Sequence, residues 1–232
     1  MSGPVAVALP GGETVPVSVR RSRRARRILL SVKPVDGAVE LVLPRGAALA
    51  DGIAFAAAKA GWIAARTARA PGRLPFAEGL ALPWLGGTLR IRRAGERGAT
   101  AWRVGETLFV PGRAEELAGR VARWLRAAAR AEIAPRVADK AARLGRPYRG
   151  VAIREARTRW GSCSPRGNLS FCWRLVMAPE PVLDYVVAHE VAHLAELNHG
   201  ERFWSHVAEL CEDPAGARAW LRANGPSLHR YG

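Results

Sequence analysis

The stretch His189-Glu190-Val191-Ala192-His193, followed by His199, restricts this chain more than any other segment. Two histidines four positions apart on a helix lie one turn above each other on the same face. Both imidazoles can then reach a single metal ion, so the segment is expected to be helical. Glu190 points ~100° around the helix from His189, which makes it a poor third ligand but lets it reach a water on the metal. This is the H-E-x-x-H spacing of zinc hydrolases, with His189 and His193 as ligands and Glu190 as general base.

A catalytic zinc keeps three protein ligands and an open position. Glu196, at i+7 from His189, would have to share the metal across roughly 10 Å of helix, which bonds of about 2 Å do not span. His199 follows Asn198, a residue that tolerates the left-handed conformation at a helix end, so the chain can turn back there. His206 lies on the next helical stretch among Phe203, Trp204 and Val207. His199 is the expected third ligand, with His206 and Glu196 or a distant acid as alternatives. His206 reads better as a histidine supporting the site. Tyr185, Arg159, His206, His229 and Tyr231 are candidate oxyanion donors, and the sequence does not choose among them. The segment Asn168–Val176 reads as a strand that can lie beside the cleft. Asn168, Ser170 and Cys172 would then border an extended peptide held through its main chain.

The rest of the chain is consistent with a globular enzyme. Its 232 residues are 49% apolar, enough for one large domain or two small ones. No apolar run approaches the roughly 18 residues of a membrane span, and no secretory signal is visible in Met1–Pro16. The three cysteines, Cys163, Cys172 and Cys211, form no C-x-x-C pair, so a disulfide framework is not expected and a reducing cytoplasm is. Net charge is +16, from 36 basic and 20 acidic residues. Only Lys33, Lys59 and Lys140 are lysines, so the excess of arginine can reflect composition bias as well as a polyanionic partner. The densest run, Arg20–Arg27, contains Arg23, Arg24, Arg26 and Arg27, which can hold phosphates or simply solvate a turn.

Alternating segments at Thr14–Val19, Ile28–Val32 and Val39–Leu43 predict strands, the last two joined as a hairpin by Asp36-Gly37. A helix is expected over Ala47–Arg69. Four short strands follow between Leu80 and Val110, broken by Gly86-Gly87, Gly95 and Gly105. Pro111-Gly112 marks a boundary. Ala114–Leu144 reads as a long helix that Pro135 kinks or splits. Strands at Tyr148–Glu155 and Asn168–Val176 flank a turn-rich loop, and the motif helix is expected over Pro179–Leu197. No internal repeat is visible.

Several of these segments together resemble the YgjP-like metallopeptidases, relatives of the SprT and Wss-like zincins. They are Thr158-Arg159-Trp160-Gly161-Ser162-Cys163, Trp173-Arg174-Leu175 with Ala178-Pro179, Asp184-Tyr185-Val186-Val187 leading into the H-E-x-x-H run, Asn198-His199 and Phe203-Trp204. Gly61-Trp62-Ile63 and Leu85-Gly86-Gly87 extend the similarity upstream. The resemblance implies a zincin fold, one zinc on His189, His193 and His199, and Glu190 as the catalytic glutamate. Two positions depart from the family pattern: Cys172 stands where asparagine is usual, and Val191 where leucine is usual.

The expected architecture is therefore α+β. A β-rich module with one helix, residues 1–112, precedes a zincin-like metallopeptidase domain, residues 113–232, whose active-site helix packs on a small sheet. The expected activity is zinc-dependent hydrolysis of peptide bonds in a peptide or protein substrate. The arginines motivate two alternatives: metal-dependent hydrolysis of a nucleotide phosphoanhydride, and a protease acting on proteins bound to nucleic acid.

Overall fold

A computed structural model describes residues 4–95, 98 and 100–232. Residues 1–3, 96, 97 and 99 of the expected N-terminal module lie outside the described residues. The chain forms two compact units, Met1–Arg73 and Leu74–Gly232. Among the described residues no helix is long and apolar enough to cross a membrane.

The first unit is a four-stranded sheet, β1 (Val5–Ala8), β2 (Thr14–Ser22), β3 (Leu29–Val32) and β4 (Val39–Pro44), in the order β1-β2-β4-β3. β3 and β4 form the expected antiparallel hairpin, and β2 runs parallel to β4. Alternation sends Val39, Leu41 and Leu43 of β4 to one face, where they meet Ala56 and Ile63 of the following helices. The helix expected over Ala47–Arg69 is two helices, α1 (Leu49–Ala58) and α2 (Ala60–Ala68). Lys59 interrupts them with its N–H turned to the Ala56 carbonyl.

Two of the clustered arginines serve the sheet itself. Arg20 pairs with Glu40 at 3.0 Å, and Arg21 donates to the carbonyls of Arg45 and Ala47. Arg23, Arg24, Arg26 and Arg27 are exposed in the connection from β2 to β3.

The second unit opens with another four-stranded sheet, β5 (Ala81–Trp84), β6 (Gly87–Arg93), β7 (Trp102–Val104) and β8 (Thr107–Val110), in the order β5-β6-β8-β7. Its central pair, β6 and β8, is parallel and its outer pairs are antiparallel. That is the strand order and direction of the first sheet, repeated without a visible sequence repeat. The compact units divide at 73/74, whereas Pro111-Gly112 had marked the expected boundary. The reason is packing: Leu82, Leu89, Ile91, Leu108 and Val110 share one core with Leu117, Val121 and Leu125 of the next helix.

That helix, α3 (Leu117–Arg143), is a single element that Pro135 does not split. Pro135 is exposed, so the Ala131 carbonyl that loses its partner can be hydrated. The buried positions Leu117, Val121, Leu125, Ala129, Ile133, Val137 and Ala141 recur every fourth residue. A three-stranded sheet follows, β9 (Gly150–Arg154), β10 (Gly161–Cys163) and β11 (Asn168–Cys172), in the order β10-β11-β9. The chain ends in α4 (Glu180–Ala192), α5 (Glu201–Leu210) and α6 (Pro214–Leu228).

Helix α4 carries the motif and is largely buried. Val182, Leu183, Tyr185, Val186, Val187, Ala188, Glu190, Val191 and Ala192 are all buried. Lys140 of α3 ties it in place. This lysine is 4% exposed, and its Nζ donates to Asp184 Oδ2 of α4 at 2.9 Å and to the Leu210 carbonyl closing α5 at 2.6 Å. Replacing Lys140 with methionine keeps the packing but leaves two acceptors without their donor. The expected cost is about 1–3 kcal/mol, moderated because Asp184 keeps some contact with water. A urea unfolding midpoint unchanged in Lys140→Met would contradict this role.

Candidate active site

Helix α4 ends at Ala192, with His193 as its last, αR residue. The expected helix ran on to Leu197, with a left-handed turn at Asn198. Instead, the backbone turns through residues 193–195, and Leu85 is the only non-glycine residue with positive φ among those described. Glu196 therefore lies off the helix. Its carbonyl lies 3.0 Å from His193 Nδ1, and its carboxylate is turned toward Arg202. The early turn brings His199 back over the end of α4.

His189, His193 and His199 each offer a nitrogen within 4.8 Å of the others, a group that can hold one metal ion. His189 Nε2 and His199 Nε2 are 3.2 Å apart. Two nitrogens each about 2.0–2.1 Å from a tetrahedral zinc would lie about 3.3 Å apart, so this pair fits a shared ion. His193 Nδ1–H can donate to the Glu196 carbonyl, leaving Nε2 as a free lone pair, and Tyr185 Oη sits 3.5 Å from His189 Nδ1. Burial, reinforced by the neighbouring imidazoles, depresses His189 to about 4. Burial also lowers His193. Both imidazoles are therefore neutral at pH 7, the state that binds a metal.

Phe203 of α5 packs against all three imidazoles, with ring centroids 4.9, 4.5 and 4.6 Å from those of His189, His193 and His199. The adjacent Trp204 donates its Nε1–H to the His199 carbonyl at 3.1 Å and is itself covered by the Arg218 guanidinium. These two residues hold the returning loop. The sequence signal for them was their place on the strongly amphipathic helix that follows His199.

Glu190 is 6% exposed. Burial pushes its carboxyl up to about 7, against the opposing pull of the Arg159 charge and the Cys163 N–H. Its close neighbour is Gly161 at the start of β10. A Cβ built there would fall 2.5 Å from Glu190 Cγ and 2.6 Å from Oε1, so only glycine leaves this carboxylate its space. Gly161 falls in the segment expected to be a turn-rich loop, where a short strand forms instead. Burial and the Glu190 charge raise the Cys163 thiol to about 11, which leaves it protonated and unreactive at neutral pH.

The remaining expected residues fall in different places. The Tyr185 hydroxyl faces His189, and the Arg159 charge acts on Glu190. His206 lies instead beside Glu209, His229 packs at a tilt against Trp160, and the Tyr231 carbonyl accepts from buried Arg174. The expectation that β11 could pair with a peptide is corrected by its topology. Both of its edges are already bonded, to β10 and to β9, with Ser170 opposite Ser162 on one side and Ala152 on the other. Cys172 is fully buried, its Sγ donating to the Ala156 carbonyl, and Asn168 is held by Ser164. The outer strand beside Glu190 is β10.

Residues 26–224 match the family described as YgjP-like, metallopeptidase domain. No curated protein and no solved structure matches the chain. The match covers most of the 232 residues and includes α4, the three histidines and Glu190. The chain is a member of the YgjP-like metallopeptidase family.

Proposed function

We propose that the chain is a zinc-dependent peptidase in which His189, His193 and His199 hold the ion and Glu190 is the general base. The observation that carries this reading is the convergence of three imidazole nitrogens beside one buried carboxylate. Three histidine nitrogens are a donor set of a catalytic zinc, which keeps a fourth position for water. Zinc in such a site supplies a Lewis acid for the scissile carbonyl and acidifies water.

The residues of the chain do the rest. Glu190 takes a proton from the attacking water and returns it to the leaving amine. The Cys163 N–H and the space left by Gly161 hold the carboxylate in one orientation. Tyr185 orients His189 from behind, because its hydroxyl faces Nδ1, leaving Nε2 for the ion. Arg159, an exposed cation whose field reaches Glu190, is the candidate that stabilises the oxyanion. An extended peptide is laid along the outer edge of β10, where main-chain hydrogen bonds can bring its carbonyl to the open side of the site.

Glu190→Gln is expected to retain one zinc per chain while peptide hydrolysis falls by a factor on the order of 10²–10⁴. Hydrolysis at the wild-type rate by this variant would sink the mechanism. Gly161→Ala tests the packing argument separately. Its added methyl group displaces the Glu190 carboxylate, so kcat should drop about 10²-fold with zinc content unchanged. Metal analysis beside a peptide assay distinguishes this from loss of the ion, and an unaltered kcat would show that Gly161 does not set the carboxylate position.

A further inference from the structure

A cavity of about 600 Å³ adjoins the histidine cluster on the side of His193. Its walls come from three places: the segment between α3 and β9, the β10–β11 turn, and the turn after α4. Arg146 and Arg149 come from the first, Arg166 from the second, and Leu194 and Leu197 from the third. No aspartate or glutamate lines it. Glu196, between the two leucines, turns its carboxylate toward Arg202.

Several arginines of the same unit have acidic partners. Arg126, Arg136 and Arg174 are matched by Glu155, by Glu132 with Glu180, and by Glu155 again. Among the described residues, Arg146, Arg149 and Arg166 enter no ion pair, and all three are exposed. The backbone that carries two of them is fixed, because the Arg149 N–H donates to the Gly167 carbonyl at 2.8 Å. A concave surface with an apolar wall and a rim of unmatched guanidinium groups suits a ligand with a short aliphatic stem and a carboxylate. It shares His193 with the metal-binding cluster. Successive residues of an extended peptide are about 3.3–3.6 Å apart, so a peptide with its carbonyl at the cluster places a nearby side chain in this cavity.

We propose that this cavity is a substrate subsite that selects an acidic side chain close to the cleaved bond. The proposal rests on the peptidase reading above, and its test is chosen to be independent of turnover. Zinc-loaded Glu190→Gln protein is titrated with pairs of C-terminally amidated, alanine-based peptides that carry glutamate or glutamine at successive positions. Affinity is read by fluorescence anisotropy. Each partly exposed arginine–carboxylate contact contributes a few-fold, so at one position the glutamate peptide should bind about 10-fold more tightly, less so at high salt. Adding Arg146→Gln, Arg149→Gln and Arg166→Gln should bring the ratio close to one. The exposed control Arg123→Gln should leave it unchanged.

Equal affinity for both peptides at every position overturns the proposal, as does a ratio that survives removal of the three arginines. A glutamine peptide with a free C-terminus that binds as tightly as the amidated glutamate peptide overturns it too, because the pocket would then read a chain end. Failure of the peptidase reading appears elsewhere, as wild-type protein that cleaves no peptide.

Discussion

Helix α4 is buried along most of its length, and the positions of the remaining functional residues depend on that enclosure. A helix packed against a single neighbour can roll or shift with little penalty. α4 cannot, because α3, α5, α6 and the three-stranded sheet surround it, and Lys140 clamps it to α3 and to the end of α5. The two motif histidines emerge at its C-terminal end, where enclosure gives way to the open cluster with His199. Glu190 remains inside, which makes its ionisation costly and its orientation well defined. A single element therefore supplies both the rigid placement of the ligands and the raised proton affinity of the base.

The site shows how different supports serve different demands. The imidazoles need aim, and they receive it from Phe203 against all three rings, from Trp204 on the His199 carbonyl, and from the Glu196 carbonyl on His193. The carboxylate needs space and one well-placed donor, supplied by Gly161 and the Cys163 N–H of the same short strand. β10 is thus placed to do two things in our account: to hold the base on one side and to present an unpaired edge to substrate on the other.

Local periodicity made much of this legible in the sequence. The i, i+4 spacing of His189 and His193 required a helix, and the β3–β4 hairpin followed from alternation around Asp36-Gly37. His199 was also reached as the third candidate, but through a premise that the structure corrects. The helix ends at Ala192 rather than running to Leu197, so Glu196 lies in the turn, with its carbonyl facing His193, and not on the helix. What remained hidden depended on contacts between distant residues. Nothing local to Gly161 announces that Glu190 will press against it. The edge pairings of β11 depend on β9, some twenty residues earlier. The division at 73/74 arises because β5–β8 share a core with α3, a fact of packing that a Pro-Gly turn does not reveal. The repeated strand order of the two sheets is likewise a property of pairing, carried by sequences that do not resemble each other.

The central claim is that three imidazoles, and no other side chains, hold the ion. X-ray absorption at the zinc edge of the metal-loaded protein measures this directly. The account predicts three histidine nitrogens at about 2.0–2.1 Å with imidazole scattering beyond them, and one further light oxygen. A sulfur at about 2.3 Å, or a shell with fewer than three imidazoles, would contradict it.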